Sequence, residues 1–297
     1  MNAKTNGFHH LQIVALCLAM TFECGTSAGM SSSDLGNMPN ARLVELLGDQ
    51  KWGDKAFAEI VARLERDGHD QQGDLAKELF DKWQKSTNEM ARAWSFQGLR
   101  LLRSQAAADV LTTQLLTGRT SYERQMAAHG LGQLGQTNAI SVLEAVVFTD
   151  KGTFGDGPSV GRRAVFSLGE MGGAGAPALM RLWNNENVRR VHEEAVLSAM
   201  GFTKDRRFVP ILIGVLAGAG ERSSRDNAAW ALGEIGDATA LPELNRYTDD
   251  SNKNVKENVL KAIEKIQQRV KEHARTDTEQ PNEVPEDTAR KLADPQH

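Results

Sequence analysis

Apolar residues recur along this chain with the spacing of amphipathic helices, and the pattern is clearest between Arg225 and Leu244. On one face of the first helix lie Ala228, Ala229, Leu232 and Ile235. Gly236 suits the end of that helix, where a residue with positive φ is wanted. Asp237 can cap the next helix, and Pro242 is tolerated near its first turn. The stretch therefore predicts a helix, a tight turn and a second helix.

The same helix pair recurs along the chain, because a leucine in the second helix returns at a nearly constant interval. These anchor leucines are Leu47, Leu79, Leu111, Leu143, Leu179, Leu212 and Leu244, at intervals of 32, 32, 32, 36, 33 and 32 residues. A matching column in the first helices is formed by Leu99, Leu131, Leu168, Leu197 and Leu232. One such pair cannot bury its own apolar face, and a fixed period of this length indicates an α-solenoid.

Three stretches of the chain carry a family resemblance: RQMAAHGLGQLG (124–135), RRAVFSLGEMG (162–172) and RDNAAWALGEIGDATALPEL (225–244). They resemble HEAT repeats, especially the short form of the phycobilisome lyases. The resemblance implies an all-α fold, a right-handed superhelix of about seven helix pairs. A charged, amphipathic helix from Asn252 to about Lys271 is expected to cap it. The resemblance implies little about function, because surfaces vary freely on one fold.

The N-terminus has the order of a secretory signal. Lys4 precedes a twelve-residue, mostly apolar run from Leu11 to Phe22, and small residues end at Ala28. The run is shorter than the roughly twenty residues that span a bilayer. We therefore expect a signal peptide at 1–28 and a protein that is exported to the periplasm or outside the cell. An uncleaved membrane-associated end or a disordered N-terminus is the alternative.

The rest of the chain is expected to divide into a linker at 29–33, the solenoid at 34–272 and a disordered polar tail at 273–297. The tail is proline-punctuated and nearly free of apolar residues, so it cannot repay its ordering entropy. Both cysteines, Cys17 and Cys24, lie in the signal segment, which would leave the mature chain without thiol chemistry. The net charge of −4 lacks the basic excess of a nucleic-acid binder.

No catalytic constellation stands out in the sequence, and no cofactor or metal is expected. A His-Glu step at His192-Glu193 invites a test against deoxyhypusine hydroxylases, a HEAT-like family in which four such steps bind a di-iron centre. This chain has one step, and the corresponding stretch elsewhere reads His129-Gly130. A single step cannot build a two-metal site.

The expected function is therefore an exported, non-catalytic scaffold or adaptor that binds a protein partner, and not an enzyme. The alternative is a bilin-lyase-like enzyme or ligand carrier that uses the concave groove. A deep apolar groove ringed by polar residues would favour the carrier. Candidate partner-binding residues are Gln114, Arg181, Asn184, Arg246 and Tyr247 on the second helices, and Phe154, Arg162 and Arg163 at the 149–161 loop.

Two further features of the repeat have competing interpretations. An arginine stands seven residues before the first-helix leucine at Arg92, Arg124, Arg190 and Arg225, with Arg162 one place off. A ladder to carboxylates or helix C-termini of the adjacent repeat is favoured over an anion-binding strip. Among the five tryptophans, four have helical spacing typical of a core, and Trp52 in a turn is expected to be the most exposed.

Overall fold

The computed structural model describes residues 31–67, 73–150, 159–218 and 222–279. Within these ranges the regular structure is α-helix with short 3-10 turns, and there is no strand. The chain divides into two compact units, one ending at His192 and the other beginning at Glu193. The predicted signal peptide lies outside the described residues.

The N-terminal unit, up to His192, is built from helices of four to fifteen residues and from the first part of α11. They are α1 Ser32–Leu35, α2 Asn40–Leu46, α3 Gly53–Asp67, α4 Gly73–Lys85, α5 Glu89–Leu102, α6 Gln105–Thr117, α7 Ser121–Leu134, α8 Ile140–Thr149, α9 Val160–Glu170, α10 Ala176–Asn184 and α11 Glu186–Thr203. In α11 the backbone leaves helical geometry at His192 (φ −127°, ψ 16°).

The helices of this unit stack in two rows. The first helices α3, α5, α7 and α9 pack in succession. The second helices α2, α4 and α6 do the same, as do α8 and α10. Each second helix from α2 to α8 also packs on the first helix of the following pair. This is the stacking of an α-solenoid and confirms the predicted all-α fold class.

The C-terminal unit, from Glu193, continues with α12 Val209–Ala217, α13 Arg222–Ile235, α14 Leu241–Asn245 and α15 Lys253–Glu279. α13 packs on α12, and α15 packs on α13 and α14. Val255, Val259 and Ile266 of α15 are fully buried, which fits the predicted capping helix. The helix extends to Glu279, beyond the end expected near Lys271, and residues 280–297 lie outside the described part.

The leucine columns that defined the repeat are its core. All seven anchor leucines and all five leucines of the first-helix column have no exposed surface. Pro177, Pro210 and Pro242 each stand in the first turn of a second helix, where the missing N–H costs nothing. Gly236 has a φ of 77°, as its place after α13 requires. None of the described helices is long and apolar enough to cross a membrane.

The expectation of an exposed Trp52 is wrong, because only 5% of its surface is accessible. Its backbone N–H donates to Asp49 Oδ1 at 3.0 Å, which fixes the turn directly before α3. The ammonium groups of Lys51 and Lys55 lie 5.2 and 4.9 Å from the ring centroid and cover its outer face. A turn position therefore did not imply exposure, since the turn is short and the ring folds inward.

Candidate functional site

A cleft of about 700 Å³ opens on the row of first helices in the N-terminal unit, between α5 and α7. Asn88 caps the start of α5, where its side chain accepts from the N–H of Ala91. Thr120 caps the start of α7 by accepting from the N–H of Glu123. The lining residues follow helical spacing on each element: Glu89, Arg92, Phe96 and Arg100 on α5, and Tyr122, Met126 and His129 on α7.

Aromatic rings form the floor of this cleft. The ring centroids of Trp83 and Phe96 are 5.2 Å apart, and both side chains are buried. Phe96 also lies beside the imidazole of His129, with 6.4 Å between ring centroids. At the mouth, Tyr122 is 60% exposed. The cleft thus combines an apolar floor with polar groups at one end, the arrangement common in small-molecule sites.

His129 of the cleft lining is paired with a carboxylate, Glu170, that is not itself part of the lining. His129 Nδ1 lies 3.5 Å from Glu170 Oε2, and about a quarter of each side chain is exposed. The close packing of α9 against α7 brings them together: a Cβ on Gly132 would lie 2.7 Å from Ser167 Cα. At 3.5 Å the contact is long for a hydrogen bond, so it is mainly electrostatic and strengthens when the imidazole is protonated.

The carboxylate of Glu170 is held in its charged form. Burial by itself raises the pKa of Glu170, but His129, Gln133 and Arg163 outweigh that effect, so the pKa lies below its usual value. Gln133 Nε2 donates to Glu170 Oε2 at 3.1 Å, and Arg163 Nη1 lies 4.0 Å from Glu170 Oε1. A charged carboxylate beside an imidazole fixes the orientation of the ring.

Gln133 links this pair to Arg100. Arg100 Nη2 donates to Gln133 Oε1 at 3.0 Å, and Nη1 donates to Gln97 Oε1 at 2.7 Å. The Nε atom of Arg100 is buried without a hydrogen-bond partner. Burial lowers the pKa of the Arg100 guanidinium, and the charge of Glu170 partly offsets that effect. The cluster therefore joins an imidazole–carboxylate pair to a partly buried cation.

The structure places the predicted partner-binding residues of the N-terminal unit away from this cluster, with one exception. Gln114 is only 6% exposed, and its amide donates to Glu123 Oε2 at 3.2 Å, so its side chain is held inside the fold. Arg181 makes two hydrogen bonds of 2.7 Å to Glu144 and is largely exposed. Asn184, at the end of α10, is exposed. The exception is Arg163, which lies against Glu170.

The remaining predicted residues have varied surroundings. Arg162 lies over the ring of Phe166 at 5.5 Å, and Phe154 falls outside the described residues. In the C-terminal unit, Arg246 pairs with Glu243 at 3.0 Å. Tyr247 lies beneath the guanidinium of Arg225 at 5.4 Å. Their binding role stays a prediction.

The repeated arginines support helix ends at two of the five positions. Arg124 Nε donates to the carbonyl of Leu115 at 2.8 Å, at the end of α6. Arg225 Nε donates in the same way to Leu216 at 2.9 Å, at the end of α12. Free carbonyls at a helix C-terminus attract a cation, so these contacts favour the structural interpretation of the ladder.

His192, the histidine of the single His-Glu step, lies in a different place. It is 4% exposed, and its Nε2 lies 3.8 Å from Asp150 Oδ2, while Asp150 accepts from the N–H of Gly161 at 2.6 Å. Among the residues that the structure describes, no group of three or more His, Cys, Asp or Glu side chains could hold a metal ion. The donor set therefore does not fit a di-iron centre.

A comparison of the sequence with family models supports the resemblance. The model of HEAT repeats matches residues 212–280, from within α12 to the end of α15. This part of the chain therefore contains HEAT repeats. The buried leucine columns and the stacking of helices in two rows show the same architecture in the N-terminal unit.

Curated relatives of this chain include deoxyhypusine hydroxylases. The protein from Gallus gallus is 33% identical over 107 residues, and that from Homo sapiens is 32% identical over 107 residues. Each match covers 35% of this chain and 35% of the relative, so the chain spans about a third of the length of the curated relatives it matches. These relatives are enzymes. The interpretation of the chain as a non-catalytic scaffold, and not an enzyme, is therefore wrong.

Two solved structures resemble the fold at low identity. Human deoxyhypusine hydroxylase in complex with glycerol is 18% identical with a TM-score of 0.36, covering 79% of this chain and 99% of that one. The complex of CpcE and CpcF of phycocyanin lyase from Nostoc sp. PCC7120 is 16% identical with a TM-score of 0.39, covering 83% and 99%. At these scores neither structure equates individual positions with residues of this chain.

Sequence reasoning missed the cluster of His129, Glu170 and Arg100. It read His129 as half of a broken His-Glu step and looked for the partner next to it in the chain. The partner lies one repeat later, two residues after the first-helix leucine Leu168. The polar residues at that position, Gln133 and Glu170, were the available signal, because residues at equal positions of adjacent first helices are neighbours in a solenoid.

Proposed function

We propose that this protein is an enzyme, or a ligand carrier with the same fold, and that its ligand binds in the cleft between α5 and α7. The observation that carries the proposal is the His129–Glu170 pair at the end of an aromatic-floored cleft. The enzyme relatives support the class, and they do so over about a third of their own length. A deep apolar groove ringed by polar residues favours an enzyme or carrier over a scaffold, and this cleft has an aromatic floor with polar side chains in its lining.

In this proposal His129 transfers a proton to and from the bound ligand. Nδ1 faces Glu170, which leaves Nε2 as the ring nitrogen available to a ligand. The Glu170 carboxylate stabilises the imidazolium that forms when Nε2 accepts a proton, and Gln133 keeps the carboxylate in place. When Nε2 returns the proton to another ligand atom, the pair is restored. The reaction class is proton transfer on a ligand held over Phe96.

A conjugated, bilin-like molecule is the ligand class we propose first, as for a bilin-lyase-like enzyme. Its flat apolar body matches the aromatic floor of Phe96 and Trp83. The hydroxylase activity named for the relatives is the second candidate. No step is assigned to a metal, since the described donor set does not fit a di-iron centre.

The test compares a carboxylate in the cluster with one outside it. Purified protein is mixed with a bilin, and the absorbance spectrum is followed under turnover and under stoichiometric conditions. Glu170→Gln and His129→Gln should bind the bilin but abolish its conversion, while Glu234→Gln should behave as the wild type. Equal conversion by the wild type and both cluster variants would refute the proton-transfer role. Iron-dependent hydroxylation of a deoxyhypusine-containing protein would favour the second candidate.

We also propose that the protein is exported and that the mature chain begins near Gly29, which the order of Lys4, the apolar run and Ala28 supports. N-terminal sequencing of the native protein tests this, and an intact Met1 on cytosolic protein would refute it. A protein partner that delivers or receives the ligand is part of the same proposal. Exposed residues such as Arg181 and Asn184 are its candidate contacts, and affinity capture from the native source with mass spectrometry would identify it.

A further inference from the structure

Arg100 is a partly buried cation whose hydrogen-bond partners are neutral. Its terminal nitrogens donate to the amide oxygens of Gln97 and Gln133, and its Nε is buried without a partner. By contrast, Arg181 and Arg225 donate directly to carboxylates at 2.7 and 2.5 Å. A guanidinium withdrawn from water and left without a direct counter-charge is costly, so this position favours an anion.

The charges around Arg100 leave that need unmet. Gln133 lies between Arg100 and Glu170 and bonds to both. Glu170 itself faces His129 and Arg163. The other carboxylate of the cleft is Glu89, exposed at the mouth. It stands one helical turn before Arg92, the other arginine of the lining. Of these two arginines, Arg100 is the one that donates to two neutral amides and has a buried nitrogen without a partner.

The side chains around Arg100 indicate the chemical character of a ligand that would carry an anion to it. Its guanidinium carbon lies 6.0 Å from the centroid of Phe96, so an anion on Arg100 has an aromatic ring beside it. Met126 and the exposed Tyr122 extend the apolar wall toward the mouth. Rings give contact area at low entropic cost, and a volume of about 700 Å³ is within the usual range of small-molecule sites.

We propose that the cleft selects a carboxylate with a flat aromatic or conjugated body, and that Arg100 binds the carboxylate. This inference rests on the proposed function, since it names the ligand class of the same cleft. It assigns Arg100 to ligand binding and leaves proton transfer to His129 and Glu170. Gln97 and Gln133 hold the guanidinium without neutralising it, which keeps its charge available.

The experiment uses two probes of nearly equal shape and different charge, 1-naphthoate and 1-naphthamide, with the full chain and calorimetric titration. The wild type should bind the carboxylate at least about tenfold more tightly than the amide, since hydrogen bonds to a charged group are the strong ones. Arg100→Gln should remove that preference and leave the affinity for 1-naphthamide unchanged. Arg206→Gln, an exposed arginine of the C-terminal unit, is the matched control.

A second variant keeps the test valid if Arg100→Gln unfolds. Gln97→Glu places a carboxylate at the position that already accepts from Arg100 Nη1. It should weaken 1-naphthoate binding about tenfold or more and spare 1-naphthamide. Equal binding of the two probes by the wild type, or full 1-naphthoate affinity in both variants, would overturn the inference.

The same titrations separate this inference from the proposed function. Glu170→Gln should still prefer 1-naphthoate, because the carboxylate of Glu170 does not contact the ligand's anion in this assignment. A wild type that converts a bilin but shows no preference for 1-naphthoate contradicts only the ligand class. A wild type that prefers 1-naphthoate, with bilin conversion unchanged in the His129 and Glu170 variants, contradicts only the proton-transfer role.

Discussion

Glu170 of the N-terminal unit and Glu234 of the C-terminal unit occupy the same position of the repeat, two residues after a buried leucine of the first helix. Glu234 is paired with two lysines, Lys204 at 2.8 Å and Lys265. Glu170 instead faces an imidazole and an amide, at the end of a cleft. The position in the repeat therefore determines where the carboxylate lies, and side chains of the neighbouring repeats determine which groups it contacts.

The electrostatics of the two carboxylates make the contrast sharper. Burial raises the pKa of both, and in both the neighbours reverse the shift, so each pKa lies below the ordinary value. Two ion pairs with lysines make Glu234 a structural link. Glu170 lies instead beside an imidazole, the group to which we assign proton transfer.

Side chains two residues before the first-helix leucine decide whether a cleft forms. These are Gln97, His129, Phe166, Ala195 and Trp230. In the C-terminal unit the ring of Trp230 packs against Phe202 with 5.2 Å between centroids and fills the surface. In the N-terminal unit Gln97 and His129 line open space. At equivalent positions of the repeat, the C-terminal unit thus has a packed pair of rings and the N-terminal unit has side chains that line a cleft.

The largest effect is expected from the leucines that the two regions share. Leu131→Ala and Leu232→Ala should each lower the free energy of unfolding by roughly 2–5 kcal/mol, because both side chains are fully buried and truncation leaves a cavity. Chemical denaturation with hydrogen exchange measures both. Exchange should accelerate first between about 223 and 271 for Leu232→Ala, with residues 89–150 little affected, since each repeat contacts only its neighbours.

The control for this prediction is Glu243→Ala. Glu243 pairs with the exposed Arg246, so its loss should cost only about 0.5 kcal/mol. A uniform increase in exchange along the chain, or equal unfolding of Leu232→Ala and Glu243→Ala, would show that the repeat register is wrong.

The repeated arginines should give a smaller and unequal effect. Arg225 adds a pair with Asp250 at 2.5 Å to its bond to the Leu216 carbonyl, whereas Arg124 donates to the Leu115 carbonyl. Arg225→Met should therefore cost about 1.5–3 kcal/mol and Arg124→Met about 0.5–1.5 kcal/mol. Denaturant titrations of the two variants test this, and an equal cost would mean that the Asp250 pair contributes nothing.

The sequence predicted the fold well because its determinants are periodic. The anchor leucines, Pro242 in the first turn of α14 and Gly236 after α13 are local features that specify where helices begin, end and pack. Gly201 shows the limit of such reasoning. It comes four residues after Leu197, as Gly236 comes four residues after Leu232, but it lies inside α11. The left-handed residue after α11 is Lys204. A Cβ on Gly201 would lie 2.9 Å from Ala231 Cα, so close packing explains this glycine.

The candidate site was less accessible from the sequence, since it depends on side chains from separate repeats. Periodicity indicates that α7 and α9 are neighbours, but not that Gly132 lets them approach closely enough for His129 to meet Glu170. The expected binding residues lie on the second helices or at the 149–161 loop, whereas the cleft lies between the first helices α5 and α7. The pattern of leucines identifies both rows equally and does not show which one leaves open space.

The smallest effect we predict is an acid sensitivity of the N-terminal unit at His192. Burial lowers the pKa of His192 below 6.5; the charge of Asp150 opposes this shift and Arg162 adds to it. Because the unfolded chain accepts the proton at a higher pH than the folded one, stability should be constant above about pH 7 and fall as the pH drops below 6.5. The fall should be modest, since Asp150 attracts the imidazolium that forms. Denaturation between pH 8 and pH 5 measures it, and His192→Gln should flatten the profile. Between 193 and 279 the sequence contains one histidine, His273, so hydrogen exchange should reveal the first weakening before Glu193. An unchanged profile in His192→Gln, or a first weakening after Glu193, would assign the acid response to other groups.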